Sequence, residues 1–186
     1  MDKLKYPDLM VDVETTGLDP ANAAIIQIGA VPFNYKTGEI DSTNMYCRSL
    51  RMPKNKFWTS DTQKFWMIDN ADVYRSIMES AVTSREVMLD FFKYVERLGD
   101  LRMWSKGFFD WQMIEQNYIA LDMDMPFNFR QAKDMRSFIS GLRGDAEYYD
   151  ETVEKVGDGH NALHDCLTQL RILFQAKEKN KRCACD

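Results

Sequence analysis

The 186-residue chain holds only two histidines, four cysteines and five prolines, and no apolar run approaches the ~20 residues that span a bilayer. Four cysteines without paired spacing argue against a disulfide-stapled scaffold. Cys183-Ala184-Cys185 has no second pair to complete a zinc site and reads as an incidental tail dithiol. With neither a leader-like nor a membrane-spanning stretch, a reducing cytoplasm is the expected setting, and no membrane partner is expected. A basic excess is missing too: 24 Lys and Arg stand against 29 Asp and Glu, a formal net charge of −5. Broad, nonspecific duplex binding needs a basic stripe, so the balance speaks against it. No linker or internal repeat interrupts the sequence, and 45% hydrophobic residues suffice for one domain with a sizeable core. The expected organisation is a single domain over residues 1–178 and a flexible tail over 179–186.

What is present is a pattern of acids. Leu9-Met10-Val11 reads as a buried strand running into Asp12-Val13-Glu14-Thr15-Thr16-Gly17. Strand side chains alternate between faces, so Asp12 and Glu14 project together at the strand's carboxyl end. Two like charges so close repel unless a cation lies between them, and hard divalent ions take oxygen ligands of this kind. A solvated strand end is the plain alternative. Farther along, Gly107-Phe108-Phe109-Asp110 puts an acid after a short apolar strand, at the start of a helix. Near the C-terminus, a Gly157-Asp158-Gly159 loop leads to His160, five residues before Asp165. Five helical residues turn through about 140°, so the pair share a face only if His160 lies outside the helix. A general base on mobile backbone beside a metal site suits that arrangement.

Asp12-x-Glu14-Thr-Thr-Gly-Leu, Gly107-x-x-Asp110 and His160-x-Ala-x-x-Asp165 resemble the three motifs of the DEDD 3'-to-5' exonucleases, histidine subtype. Within that superfamily, Ile25 to Val31, Trp104-Ser105-x-Gly107 and Asp134-x-Arg136 are similar to the compact bacterial exoribonucleases and the exonuclease A of tailed phages. The resemblance implies a ribonuclease H-like α/β fold. It implies release of 5'-mononucleotides from single-stranded 3' ends with two Mg²⁺ or Mn²⁺, in a bacterial or phage-infected cytoplasm. Asp12, Glu14, Asp110 and Asp165 become the expected metal ligands and His160 the expected general base. DNA is set slightly ahead of RNA, with an exoribonuclease as the alternative. A mononucleotide phosphatase or a catalytically silent binding module are the remoter readings. Two divalent ions would cancel the four carboxylates; without those acids the formal charge is only −1.

Other residues carry two readings each. Thr15, Thr16 and Leu18 line the 3'-nucleotide pocket by the resemblance, or simply cap the strand. Trp66 is favoured among Phe57, Trp58, Phe65 and Trp66 to stack on a base, against packing into the core. Phe109, beside Asp110, is expected at the pocket. Arg136 either contacts a phosphate or pairs with Asp134. His160-x-x-x-His164 permits zinc, although four carboxylates favour a harder ion. A homodimer is open.

The expected elements are strands at Leu9–Glu14, Ala24–Phe33 and Glu39–Leu50, then a short helix at Thr59–Asn70. A Thr83-Ser84-Arg85-Glu86 capping box opens a helix to Leu98. A strand at Arg102–Ser105, a helix at Phe109–Ala120, a short strand near Asn128–Asp134 and helices at Arg136–Leu142 and Ala162–Ala176 follow. Three antiparallel strands, then alternating helix and strand, make a mixed sheet flanked by helices. The lysine-rich stretch from Lys177 reads as a fraying helix end.

Overall fold

Alternation along the first strand sorts the whole molecule. In the computed structural model, which describes residues 4–147, 152–157 and 159–183, β1 runs Asp8–Thr15. Its Leu9, Val11 and Val13 enter one core and its Met10 another. The first core is closed by α3 (Ser84–Leu98), through Val87 and Phe91, and by α4 (Phe109–Ala120), through Met113, Ile114 and Tyr118. The second is closed by α5 (Met135–Arg143) and α6 (Ala162–Cys183), through Met135, Ile139, Cys166, Leu170 and Leu173. Asp12 and Glu14 share the parity of Met10, so both point toward α6.

β1 pairs antiparallel with β2 (Ile25–Asn34), which pairs with a two-residue β3 (Glu39–Ile40) and with β4 (Tyr46–Arg51). β5 (Val82–Thr83) runs parallel to β4. On the other side of β1 lie β6 (Arg102–Ser105) and β7 (Ala132–Asp134), both parallel. The order β5-β4-β2-β1-β6-β7 is the mixed, helix-flanked sheet expected from the sequence, with β1 at its centre.

Three local differences have physical causes. The strand expected over Glu39–Leu50 breaks into β3 and β4 because the Asp41 carboxylate accepts the Thr43 amide, the Thr43 hydroxyl and the Asn44 side-chain amide, turning the chain. The helix expected over Thr59–Asn70 is α1 (Ser60–Lys64) followed by a π-helical turn, Phe65–Asp69, and a further helix, α2 (Ala71–Glu79), which the sequence reading did not anticipate. Val73, Tyr74, Ile77 and Met78 give α2 a helical stripe that covers Ile26 and Trp66. Finally, α6 continues past Ala176 to Cys183. Lys177 does not begin a solvated end: its ammonium donates to the carbonyls of Tyr35 (2.5 Å) and Lys36 (2.8 Å) and lies over the Tyr35 ring. Asp158, Ala184 and Cys185 lie outside the described residues. No described helix is long and apolar enough to cross a membrane.

Candidate active site

Close approach of α6 to the sheet builds the site. Gly29 sits opposite Asp12 on β2, and a Cβ there would fall 2.4 Å from the Ala162 carbonyl carbon. Only glycine lets the first turn of α6 rest on the strand pair. Gln27, opposite Glu14, accepts the Ala162 amide at 2.8 Å, and Asn161 accepts the amides of Leu163 and His164. The helix N-terminus is thereby capped and fixed over β1. Asp165, one turn in, faces the two acids of β1. Carboxylate oxygens of Asp12, Glu14 and Asp165 all lie within 4.8 Å of one another.

Asp110 enters from the other edge. β6 pairs β1 only through Met10, which leaves the later β1 amides to another acceptor. The Asp110 carboxylate takes that of Val13 at 3.2 Å from the first turn of α4, and Asp110 is itself buried. Its charge is felt by Asp12 and Glu14.

Burial and mutual repulsion shape the chemistry of the cluster. Burial first, and then Asp110, Glu14 and Asp165, hold Asp12 well above the usual carboxylate range, against a hydrogen bond from Gln169. Glu14 is pushed up to about 8 by burial and then by Asp165. Burial also raises Asp110 to about 7, although the Val13 amide and the Arg136 guanidinium pull the other way. Clustered, half-buried carboxylates that resist ionising together are the donor set a hard divalent ion fits: the ion supplies the missing charge and takes oxygen ligands. Histidine is absent from this cluster among the described residues, which goes against the zinc reading of His160 and His164.

His160 stands on an αL backbone (φ 63°) just before α6, exposed, as its place outside the helix required. Its ring meets Phe65 edge-on, centroids 4.7 Å apart, and Trp66 at 6.1 Å. Gly157 brings the loop onto His164, since a Cβ there would lie 2.4 Å from that ring. The two histidines thus have different surroundings.

Beside the acids runs an open groove of 380 Å³ lined by Glu14, Thr15, Leu18, Phe65, Trp66 and His160 among others. Leu18 is 81% exposed there. Thr15 lines it, with its hydroxyl donated to the Gly17 carbonyl. Thr16, expected at the same pocket, is fully buried instead. Its hydroxyl donates to the Phe57 carbonyl and accepts the Ala24 amide, its own amide bonds the Ala24 carbonyl, and its carbonyl takes the Thr59 amide. No polar group of Thr16 remains for a ligand. Trp66 is 1% exposed and donates its indole N–H to the Thr15 carbonyl at 2.9 Å, so it forms the groove floor and leaves the aromatic face to Phe65. Phe65 begins the π-helical turn, a feature that recurs at functional sites. Phe109 packs against the first core, whereas Phe108 is exposed. Asp134 caps α5, and the Arg136 guanidinium lies toward Gly107 and Asp110. The sequence reading missed Gln27, Gly29 and Gln169, all of which act through other residues.

A mixed sheet whose central strand presents paired acids to a third acid on α6 places the acids of the DEDD motifs together, as a nuclease of that type requires. Residues 7–176 match the 3'-5' exoribonuclease Rv2179c-like domain, and the chain belongs to that family. No curated protein matches it in sequence. Solved structures share the fold. Cell-death related nuclease 4 (CRN-4) is 22% identical, with a TM-score of 0.69 over 93% of this chain and 65% of its own. The nuclease domain of 3'hExo, a DEDDh family member bound to rAMP, is 18% identical, with a TM-score of 0.59 over 94% of each chain. E. coli Exonuclease I in complex with a dT13 oligonucleotide is 12% identical, with a TM-score of 0.72 over 94% of this chain and 42% of its own. The present chain therefore spans about two thirds of CRN-4 and under half of Exonuclease I.

Proposed function

We propose that this domain removes 5'-mononucleotides one at a time from the 3' end of single-stranded nucleic acid, using two divalent ions, Mg²⁺ or Mn²⁺. The observation that carries the reading is the meeting of Asp12, Glu14 and Asp165 within 4.8 Å, with Asp110 tied to the amide between the first two. Four carboxylates match the charge of two divalent cations. When bound, such ions neutralise the acids and stabilise the negative charge that grows on the phosphate and on the leaving oxygen.

The remaining work belongs to the chain. Leu18, Thr15 and Phe65 hold the 3'-terminal nucleotide in the groove, its base against the apolar wall and its 5'-phosphate beside Glu14. His160, on the same groove, takes the proton of the attacking water, a task suited to imidazole near neutral pH. Arg136 acts on Asp110 by charge. The groove is open and mostly apolar, which fits unpaired bases whose faces are free to stack. RNA becomes the first expectation from the family's description, in place of DNA; the neighbours' ligands include both kinds.

The test is degradation of matched DNA and RNA strands, labelled at the 5' end, with Mg²⁺ or Mn²⁺, by the parent and by Asp12→Ala. A ladder shortening from the 3' end, absent in the variant, supports the reading. Phosphate release from mononucleotides without strand shortening would favour the phosphatase alternative.

A further inference from the structure

The acid cluster has a second flank. A cavity of 510 Å³ opens on the side of Asp12 and Asp165, lined by Lys106, Lys155, Thr152, Thr168 and Gln169. The acid cluster divides it from the apolar groove, with Asp12 and Asp165 on this flank and Glu14 on the other, and its walls differ: Lys106 and Lys155 stand beside Val153 and Ile172, where the groove has Leu18 and Phe65 and, among the described residues, no lysine or arginine. Gln169 marks it as built. This side chain is 5% exposed and donates its Nε2 to Asp12 Oδ1 at 2.6 Å, yet among the described residues its Oε1 has no hydrogen-bond partner. A bare buried amide oxygen is costly, and a ligand hydroxyl or a bridging water would supply the missing donor.

The chemistry of strand cleavage says what should lie there. In an in-line displacement, the attacking water and the leaving oxygen stand on opposite sides of the phosphorus. His160 and the terminal nucleotide occupy the Glu14 flank, so the leaving 3'-oxygen, with the penultimate nucleotide attached, departs toward the Asp12 flank. Water adds to phosphorus, its proton passes to His160, and the P–O3' bond breaks; the leaving oxygen takes a proton from solvent and becomes the 3'-hydroxyl of the shortened strand. We infer that the Asp12-side cavity is a second substrate subsite, in which Lys106 and Lys155 bind the phosphate on the 5' side of the penultimate nucleotide. The inference rests on the exonuclease reading and adds a recognition element to it. It also accounts for cations beside an acidic cluster in a chain of net charge −5: they offset the repulsion that the acids exert on an incoming phosphate.

Two dinucleotides test it, identical except that one carries a 5'-phosphate. That phosphate occupies the place of the next linkage in a longer strand. The 5'-phosphorylated dinucleotide should show a KM lower by about tenfold, the scale of one charge-assisted contact. In Lys106→Ala and Lys155→Ala the ratio of the two KM values should fall toward one, and Lys155→Arg should restore it. Equal KM values for both dinucleotides in the parent enzyme, or a ratio indifferent to both alanine variants, would overturn the subsite while leaving the exonuclease reading intact. Failure to shorten dinucleotides and longer strands alike would instead remove the reading on which it rests.

Discussion

The carboxylate of Asp110 accepts the backbone amide of Val13 at 3.2 Å, and Val13 is the residue between Asp12 and Glu14. An acid 97 positions away in sequence is thus pinned to the strand that carries the other two. The bond is made to backbone, so the identity of residue 13 is not what fixes it. The end of β6 is: had β6 run one or two residues farther along β1, that amide would have gone into the sheet.

Pinning the acids together has a pH signature in metal-free protein. Glu14 moves from 4.5 unfolded to about 8 folded, and Asp110 from 3.8 to about 7. Raised folded values mean that the native state holds protons which the unfolded chain releases, so this contribution is complete below the unfolded values and is lost as pH rises toward 8. The melting temperature of chelated protein should fall between about pH 5 and pH 8. Saturating Mg²⁺ should recover more at the upper end, because metal then competes with fewer protons. Thermal denaturation across that range, with and without metal, checks this. A chelated protein that gains stability toward pH 8 would contradict it.

His160 separates packing from proton transfer. Its ring leans on Phe65, so His160→Ala loses a contact whatever its role. As the proton acceptor it should cost roughly 10²–10⁴ in turnover. His160→Phe keeps an aromatic ring against Phe65 and should be as inactive as the alanine variant, while the rise in melting temperature with Mg²⁺ survives in both. His164→Ala should not show the same loss in turnover. Recovery of activity in His160→Phe would reduce the residue to a packing element.

Asp8 carries stability, away from the chemistry. Fully buried, it accepts Arg102 through Nε at 2.7 Å and Nη2 at 2.8 Å, the Trp104 indole at 2.9 Å and the Tyr35 amide at 3.0 Å. It ties β1, β6 and the turn after β2 into one corner. Asp8→Ala strands four donors, and with Arg102 partly in solvent the cost should be about 3 kcal/mol, at the low end for breaking a buried pair. Urea unfolding measures it. A loss below about 1 kcal/mol would mean that water replaces the carboxylate.

The acids and the sheet were legible in the sequence for related reasons. Asp12 and Glu14 follow a strand period of two, and the run from Ile25 to Val31 reads as a buried strand without any knowledge of its partner. Helix starts were readable where a cap announced them, as at Thr83. What escaped depends on contacts distant in sequence. Thr16 looks available from its place in a Thr-Thr-Gly turn, but the segments around Ala24, Phe57 and Thr59 consume all its polar groups. Trp66 looks like a stacking residue until α2 covers it. Asp41 breaks a strand through its side chain, a local turn signal that the expected strand over Glu39–Leu50 ran straight through. Gln169 shows its role only when α6 is set down on β1.

The central claim is cleavage from a free 3' end, and it is tested most directly by offering the enzyme the same single strand in two forms, linear with a 3'-hydroxyl and covalently circular, with Mg²⁺ present. If the groove lined by Leu18, Phe65 and His160 holds a 3'-terminal nucleotide, mononucleotides appear from the linear form, and the circle persists. Cutting of the circle at a comparable rate would contradict the account and make the domain an endonuclease.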